Sequence, residues 1–245
     1  LRRKYLNILI SQTDTKYLRE MQTYQHVIYQ RNQLLKSIRI GHSNPSELDY
    51  WDSQLVTTGQ YIIQRRTETV SKLAKMCDPI HKSLTSKEQN MDLMYVPSVD
   101  LDTQDSILKD AFRATVENRR DHDIAAGVTT AGPHRDDLQI QLDGMDVNTY
   151  ASRGQCRSVV LAMRLGEARY LSESRMQEPI LLLDDVLSEL DEMRRSKVLE
   201  YLCGYQQCFV TTSDISTVES RFVANMSVFT IRDGDIVLGK TVLRD

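Results

Sequence analysis

The chain has 245 residues, which allows one large domain or two modest ones and is enough to bury a hydrophobic core. Its 31 Lys and Arg nearly balance 34 Asp and Glu, so a nucleic-acid partner would need a local basic patch. No apolar run approaches the roughly 20 residues that span a bilayer, and the first residues lack the apolar stretch of a signal peptide. We therefore expect a soluble, cytoplasmic protein with no membrane partner.

The first 66 residues are the basic part of the chain, because lysines and arginines far outnumber acids there. Such an excess is typical either of a DNA-binding surface or of basic helices that are merely solvated. The chain also begins with Leu1 inside helix-like sequence, so we expect it to be a segment of a longer protein. The basic residues of this part are Arg2, Arg3, Lys4, Lys16, Arg19, Arg31, Lys36, Arg39, Arg65 and Arg66.

Two long helices joined by a short loop are predicted between residues 15 and 76. Apolar or bulky side chains recur at a spacing of 4,3,4,3 over residues 17–38, interrupted by Arg31, and a second seam covers residues 51–76. Breakers at residues 41–45 separate the two helices. Polar residues interrupt the second seam, so we expect a short antiparallel hairpin packed on a body.

Shorter elements follow. Residues 82–90 are polar and favour a loop, residues 91–95 alternate as a strand, and a helix through residues 108–116 should be capped by Asp102 or Thr103.

A loop punctuated by glycine and proline covers residues 127–137 and leads into an alternating strand with a hairpin turn at Asp143-Gly144. His134 and Arg135 in this loop suit either a DNA phosphate contact or internal packing, and we favour packing. The other histidines are scattered, and the cysteines show no C-x-x-C pair, so neither predicts a metal site and free thiols are expected.

After Tyr150 helices alternate with strands, which implies a parallel sheet with crossover helices. The predicted elements are a helix at 155–174, a buried strand at 180–183, a helix at 190–202, a strand at 207–212 and two short strands at 227–231 and 235–238.

Asp184 and Asp185 are candidate site residues because they follow four aliphatic residues. A buried parallel strand would deliver them to its carboxyl end, where α/β proteins place phosphate and Mg²⁺ chemistry. In this interpretation Asp184 orients Mg²⁺ through water, and Asp185 orients or deprotonates the attacking water. The alternative is that the two acids merely end a strand or cap the next helix.

Ser152-Arg153-Gly154-Gln155 is a candidate phosphate-binding segment at a helix start. Ser152 fits an N-cap, Gly154 allows close approach, and the free backbone N–H groups suit the γ-phosphate of ATP. The alternative is an ordinary capped helix start.

The order of these motifs resembles the ABC-type ATPases, with a signature segment at 152–155, a Walker B strand ending at Asp184-Asp185 and a D-loop at 187–191. A narrower resemblance is carried by segments 2–6, 29–35, 51–55, 132–138, 151–157 and 181–191. Through these segments the sequence resembles the bacterial RecF recombination proteins over nearly its entire length.

The RecF resemblance implies an α/β fold, namely an incomplete ABC-type (P-loop NTPase-like) head with an inserted α-helical hairpin arm and a mixed α+β lobe. Residues 1–14 would end an N-terminal ATPase lobe, 15–125 would form the arm and second lobe, and 126–245 would form the C-terminal part of the ATPase lobe. The resemblance also implies an ATP-dependent homodimer on DNA gaps or junctions. It would hydrolyse ATP slowly and help RecR-containing complexes to load RecA.

The same resemblance implies the roles of the site residues. Ser152, Gly154, Gln155 and Asp191 would bind ATP, with the signature residues completing the site of the other subunit. Asp184 would hold Mg²⁺ and Asp185 would be catalytic, both in cis.

Two departures from the family pattern stand out. RecF-like proteins carry a G-x-x-x-x-G-K-[ST] segment near the N-terminus, and this sequence has none there, so the chain alone should bind ATP poorly. Residues 211–214 stand where many ABC ATPases have a switch histidine, so γ-phosphate sensing would fall to other side chains. The main alternative is a non-catalytic DNA or protein interaction module, and an SMC-like structural ATPase would need far longer arms.

Overall fold

The structure is a computed structural model that describes residues 1–85, 88–99 and 108–239. The helices are α1 (Arg2–Thr13), α2 (Thr15–Arg39), α3 (Leu48–Thr85), α4 (Leu108–Asn118), α5 (Arg120–Ala126), α6 (Val147–Tyr150), α7 (Arg153–Arg175), α8 (Glu192–Leu202) and α9 (Ser220–Val223). The strands are β1 (Met91–Val96), β2 (Asp137–Leu142), β3 (Met145–Asp146), β4 (Leu181–Asp184), β5 (Cys208–Thr211), β6 (Phe229–Arg232) and β7 (Asp235–Leu238). Short 3-10 helices occupy Pro45–Glu47, Val186–Glu189 and Ile215–Thr217.

Helices α2 and α3 form the predicted antiparallel hairpin. The Asp14 carboxylate caps α2 by accepting a hydrogen bond from the Tyr17 N–H, and Asn44 caps the 3-10 turn that leads into α3. Helix α3 also packs against α4, α7 and β1, so it runs through the body of the molecule. Thr58 and Thr69, which interrupt the apolar seam, are both buried in this core.

Helix α3 is longer than the sequence pattern predicts. It passes Pro79 and ends at Thr85, so the predicted loop is wrong for residues 82–85. A proline removes one backbone donor from a helix. Ile80 and Leu84, which follow the proline, are buried, and this packing holds the last turns in place.

Helix α4 matches the predicted helix, whereas α5 was not predicted. The expected caps Asp102 and Thr103 lie outside the described residues. Helix α5 ends at Ala126 and is capped by Gly127, whose φ of 68° is in the left-handed region that favours glycine.

Strands β1, β2 and β3 form an antiparallel sheet in the order β1-β2-β3. The register pairs Met91 with Leu142, and the predicted hairpin turn at Asp143-Gly144 is confirmed, with φ angles of 48° and 79°. This sheet joins a strand of the predicted second lobe to one of the predicted ATPase lobe, so contacts cross the expected boundary at residue 125. The division into lobes remains a prediction.

Strands β4 and β5 are parallel, as predicted, with α8 as the crossover between them. Strand β4 is not fully buried, however. Leu181 and Leu183 lie in the core, whereas Leu182 is 75% exposed and Ile180 57% exposed. Parallel sheets are usually covered on both faces, but in the described residues this two-stranded sheet is covered on one face only.

Strands β6 and β7 form a separate antiparallel pair. Within the described ranges, no helix is long and apolar enough to cross a membrane.

Candidate functional site

The acid pair lies at the carboxyl end of β4, where the sequence predicted it. Asp184 is the last residue of β4 and is paired across the parallel ladder with Thr211, the last residue of β5. Both carboxylates are exposed instead of buried, because the rim of the sheet is open on this side. Neither acid therefore needs an internal partner, and both are accessible to a ligand.

Asp185 has an unusual backbone. Its φ of 50° and ψ of 23° are left-handed, a conformation that aspartate tolerates better than most residues. Its N–H donates to Thr211 Oγ1 at 2.9 Å, and its carbonyl accepts from Ser188 Oγ at 2.8 Å. Its side chain does not cap the following 3-10 helix, so among the described residues the helix-cap alternative is not observed.

Thr211 contacts both acids, a role that the sequence analysis missed. Its hydroxyl donates to Asp184 Oδ1 at 2.7 Å while it accepts the Asp185 N–H. The sequence predicted both strands, and parallel strands of matched register bring their last residues together. The register itself cannot be read from local sequence patterns, so the contact between Thr211 and the acids was not predicted.

The signature segment forms a capped helix start. The Gln155 N–H donates to Ser152 Oγ at 3.3 Å, and the Ser152 N–H donates to Gln155 Oε1 at 2.8 Å, which is a complete capping box. A Cβ added at Gly154 would meet no atom within 4 Å. Packing within the described residues therefore does not require glycine here, and the space is available to an approaching group.

Asp191 is the N-cap of α8. Its Oδ1 accepts the Arg194 N–H, and its Oδ2 accepts from Arg194 Nη1, both at 2.9 Å. The structure thus uses this carboxylate to start a helix.

An open groove of about 960 Å³ lies between α7 and the exposed face of β4. Asp184 and Asp185 line it, together with Arg157, which forms a partly exposed ion pair with Glu189 at 3.2 Å. Neither Ser152 nor Gly154 lines the groove in the described part of the chain. The structure therefore does not bring the signature residues and the acid pair into one cavity.

Asp184 fits a ligand of Mg²⁺. Thr211 holds its Oδ1, and its Oδ2 accepts no hydrogen bond from the described residues. Magnesium beside phosphates is typically held by one or two carboxylates, with the phosphates and waters completing the shell. Over residues 1–85, 88–99 and 108–239 no group of three or more His, Cys, Asp or Glu could hold a metal ion by itself, so Asp184 would be one ligand among several.

The residues that follow β5 form a local turn. Thr212 Oγ1 donates to the Asp214 carbonyl at 3.1 Å, and Ser216 donates to both carboxylate oxygens of Asp214. The hydrogen bonds from Ser216 hold the pKa of Asp214 below its usual value. In the sequence, these residues occupy the position at which many ABC ATPases have a switch histidine.

The basic excess of the first 66 residues does not form one surface. Arg31 and Arg66 are buried, with exposed fractions of 0% and 1%. Arg66 donates to Tyr17 Oη and to the Pro133 carbonyl. The interpretation of the whole set as a DNA patch is wrong for these two, because they bridge elements inside the fold. The exposed members are Arg3, Lys4, Lys16, Arg19, Lys36 and Arg39.

His134 is packed inside the molecule, as we favoured. Its Nε2 lies 3.0 Å from the Thr129 carbonyl, which can only accept, so Nε2 carries the proton and Nδ1 accepts from Tyr24 Oη at 2.8 Å. Burial lowers the pKa of His134, and the positive charge of Arg135 lowers it further, against the Thr129 hydrogen bond that raises it.

Comparison with known proteins gives consistent matches at the level of sequence, although no family model matches. The DNA replication and repair protein RecF of Chloroflexus aggregans is 36% identical over 97% of this chain and 62% of that protein. RecF of Halothermothrix orenii is 35% identical over 98% of this chain and 65% of that protein. The chain thus spans a little under two thirds of the length of these curated relatives.

Solved structures of RecF proteins also match this chain. A structure of the recombination mediator protein RecF-ATPrS in the RecFOR pathway has a TM-score of 0.80 at 31% identity, covering 96% of this chain and 62% of that chain. One of RecF-ATP in the same pathway has a TM-score of 0.82 at 29% identity, covering 98% of this chain and 62% of that chain. The predicted α/β class is confirmed.

Proposed function

Because this chain belongs to the RecF family, we propose that it acts in DNA replication and repair as part of an ABC-type ATPase that binds ATP and DNA. Its part is to supply the signature segment, the acid pair and the helical arm. Residues 1–14 would end one ATPase lobe, 15–125 form the arm and second lobe, and 126–245 form the rest of the ATPase lobe.

The observation that carries the proposal is the geometry of the acid pair. Two exposed carboxylates stand at the end of a parallel strand, and one of them keeps a free oxygen beside an open groove. This is where α/β proteins bind phosphates and metal. Asp184 would hold Mg²⁺, which neutralises phosphate charge, and Asp185 would orient or deprotonate the attacking water.

The placement of the signature segment supports a homodimer. Ser152 and Gly154 lie outside the groove that contains the acids, and the surface at Gly154 is open. The N–H groups at the start of α7 would therefore bind the ATP held by a second copy. ATP would close the dimer on DNA at gaps, slow hydrolysis would release it, and the closed form would help RecR-containing complexes to load RecA.

The first experiment compares two proteins. One is the 245-residue chain, and the other is a P-loop chimera, in which the P-loop-bearing segment of a RecF protein precedes this chain. We expect ATP to bind the chimera well and the chain poorly, because the chain has no G-x-x-x-x-G-K-[ST] segment near its N-terminus. The match to this pattern at residues 234–241 begins in the turn of the β6–β7 hairpin and continues through strand β7, instead of leading from a strand into a helix.

The second experiment tests the acid pair in the chimera. Asp185→Asn should lower ATP turnover by roughly 100- to 10,000-fold while ATP and Mg²⁺ still bind, because a positioned base is lost. The variant should accumulate as an ATP-bound dimer on DNA. Undiminished turnover would rule out the assignment of Asp185.

A non-catalytic interaction module is the second candidate. It is favoured by the helix-capping roles of Ser152 and Asp191, which account for both residues without nucleotide. In that case the chimera would neither bind nor hydrolyse ATP, and DNA binding would not respond to nucleotide.

A further inference from the structure

We propose that Thr211 is the positioning residue of the acid pair. Its single hydroxyl fixes the Asp184 carboxylate and the Asp185 backbone together, so that both acids face the same ligand. The inference deepens the proposed ATPase function and rests on it.

The direction of each hydrogen bond is set by chemistry. An ionised carboxylate can only accept, so the Thr211 hydroxyl proton points to Asp184 Oδ1, 2.7 Å away. A backbone N–H can only donate, so an oxygen lone pair of Thr211 receives the Asp185 N–H at 2.9 Å. One atom thus links the side chain of the first acid to the main chain of the second.

The strand register places Thr211 for this role. Asp184 and Thr211 are partners in the parallel β4–β5 ladder, and both end their strands. A β-branched side chain in a strand has few χ1 rotamers, so its hydroxyl is held in one direction. Serine could make the same bonds with a less restricted side chain, whereas valine would keep the shape and lose both bonds.

The linkage determines what remains available to a ligand. Because Oδ1 of Asp184 is occupied, Oδ2 is the oxygen that would face Mg²⁺. The Asp185 N–H is held while the residue is left-handed at a φ of 50°, and this sets the direction in which its carboxylate leaves the strand. Partners that orient a metal ligand in this way typically affect metal affinity or activity by about 10- to 100-fold.

Thr211 is exposed, as are both acids. Its loss should therefore leave the stability of the fold nearly unchanged, and its effect should be seen in the geometry and activity of the site. This separates a positioning role from a purely structural one.

The first test uses the 245-residue chain and needs no nucleotide. Amide hydrogen exchange at Asp185 should accelerate in Thr211→Val, because its N–H loses its acceptor, and should stay slow in Thr211→Ser. Thr57→Val, which removes an exposed threonine hydroxyl from α3, should leave it unchanged. Equal exchange at Asp185 in the wild type and Thr211→Val would overturn the proposal.

The second test measures ATP turnover of the P-loop chimera against Mg²⁺ concentration. Thr211→Val should raise the half-saturating Mg²⁺ concentration and lower maximal turnover, with the combined loss on the order of 10- to 100-fold, and Thr211→Ser should restore most of it. Faster exchange with unchanged Mg²⁺ dependence and turnover would also overturn the proposal. If the wild-type chimera showed no turnover, the proposed ATPase function would fail, and the role of Thr211 in it would fail too. The exchange result would still show whether the hydroxyl holds the two acids together.

Discussion

Arg31 and Asp52 form a buried ion pair across the helical hairpin. Arg31 Nε donates to Asp52 Oδ1 at 2.7 Å, and the arginine side chain is 0% exposed. Arg31 Nη1 also donates to Asp123 Oδ2 at 2.7 Å and to Thr129 Oγ1 at 2.9 Å. One arginine thus joins α2, α3, α5 and the loop that follows α5.

Arg31→Met should lower the free energy of unfolding by about 3–5 kcal/mol, because it leaves the buried Asp123 without its cation. Asp52 would keep Arg120, whose Nη2 lies 2.6 Å from Asp52 Oδ2. Urea unfolding of the 245-residue chain measures this. Arg19→Met, at an exposed position on the same helix, should change it by about 0.5 kcal/mol or less. Equal effects of the two substitutions would show that the buried network contributes little.

Gly59→Ala should also destabilise the fold. A Cβ at residue 59 would lie 2.5 Å from Phe112 Cε1 and 3.1 Å from Tyr24 Cε2. Overpacking of a core typically costs about 1–3 kcal/mol, which outweighs the gain of up to about 1 kcal/mol from replacing a helical glycine.

The matched control for Gly59→Ala is Gly154→Ala, where an added Cβ meets nothing within 4 Å. It should leave thermal stability unchanged or slightly raised. If Gly59→Ala were equally harmless, the close approach of α3 and α4 at Phe112 would be looser than the structure indicates.

The stability of the fold should fall as the pH drops below about 6.5, the ordinary pKa of histidine. Burial lowers the pKa of His134 in the folded state, so the unfolded chain takes up a proton first and gains stability relative to the folded one. Above this pH His134 is neutral in both the folded and the unfolded chain, so it makes no pH-dependent contribution to the stability. His81, whose pKa burial also lowers, acts in the same direction.

His134→Gln isolates the contribution of this residue. The free energy of unfolding, measured in urea at pH 7.5 and pH 5.5, should decrease less in the variant than in the wild type. An identical pH dependence in both proteins would show that His134 titrates normally when folded.

Ser152→Arg should block ATP-dependent dimerisation of the P-loop chimera while leaving ATP binding by the monomer intact. An arginine at this exposed N-cap would be buried without a partner against the second subunit, at a cost of several kcal/mol, so the dimer should weaken roughly 100-fold or more. Analytical ultracentrifugation with ATP measures the dimer fraction.

Ser174→Arg is the control for Ser152→Arg, because Ser174 is exposed near the other end of α7. It should dimerise like the wild type. ATP-dependent dimers of Ser152→Arg at wild-type affinity would mean that the signature segment does not act across the dimer.

Most helices and strands could be predicted because their signals are local. The apolar spacing of α2 and α3 and the Asp143-Gly144 turn each lie within a few residues of the element that they shape. The errors also have physical causes. Helix α3 continues past Pro79 because buried side chains beyond it compensate for the lost hydrogen bond. The aliphatic run of β4 predicts a fully buried strand, but such a run does not reveal how many faces of the sheet are covered.

The motif order, the acid pair and the capped signature segment were readable from the amino-acid order, since each is a short run of adjacent residues. The partners of the charged and hydroxyl side chains could not be predicted in this way. Arg31, which looked like an interruption of a seam, finds Asp52 21 positions away; Arg66 finds the Pro133 carbonyl 67 positions away, and Thr211 finds Asp184 27 positions away. Such partners are brought together by the packing of α3 and by the register of β4 and β5, so these roles became visible only in the folded chain.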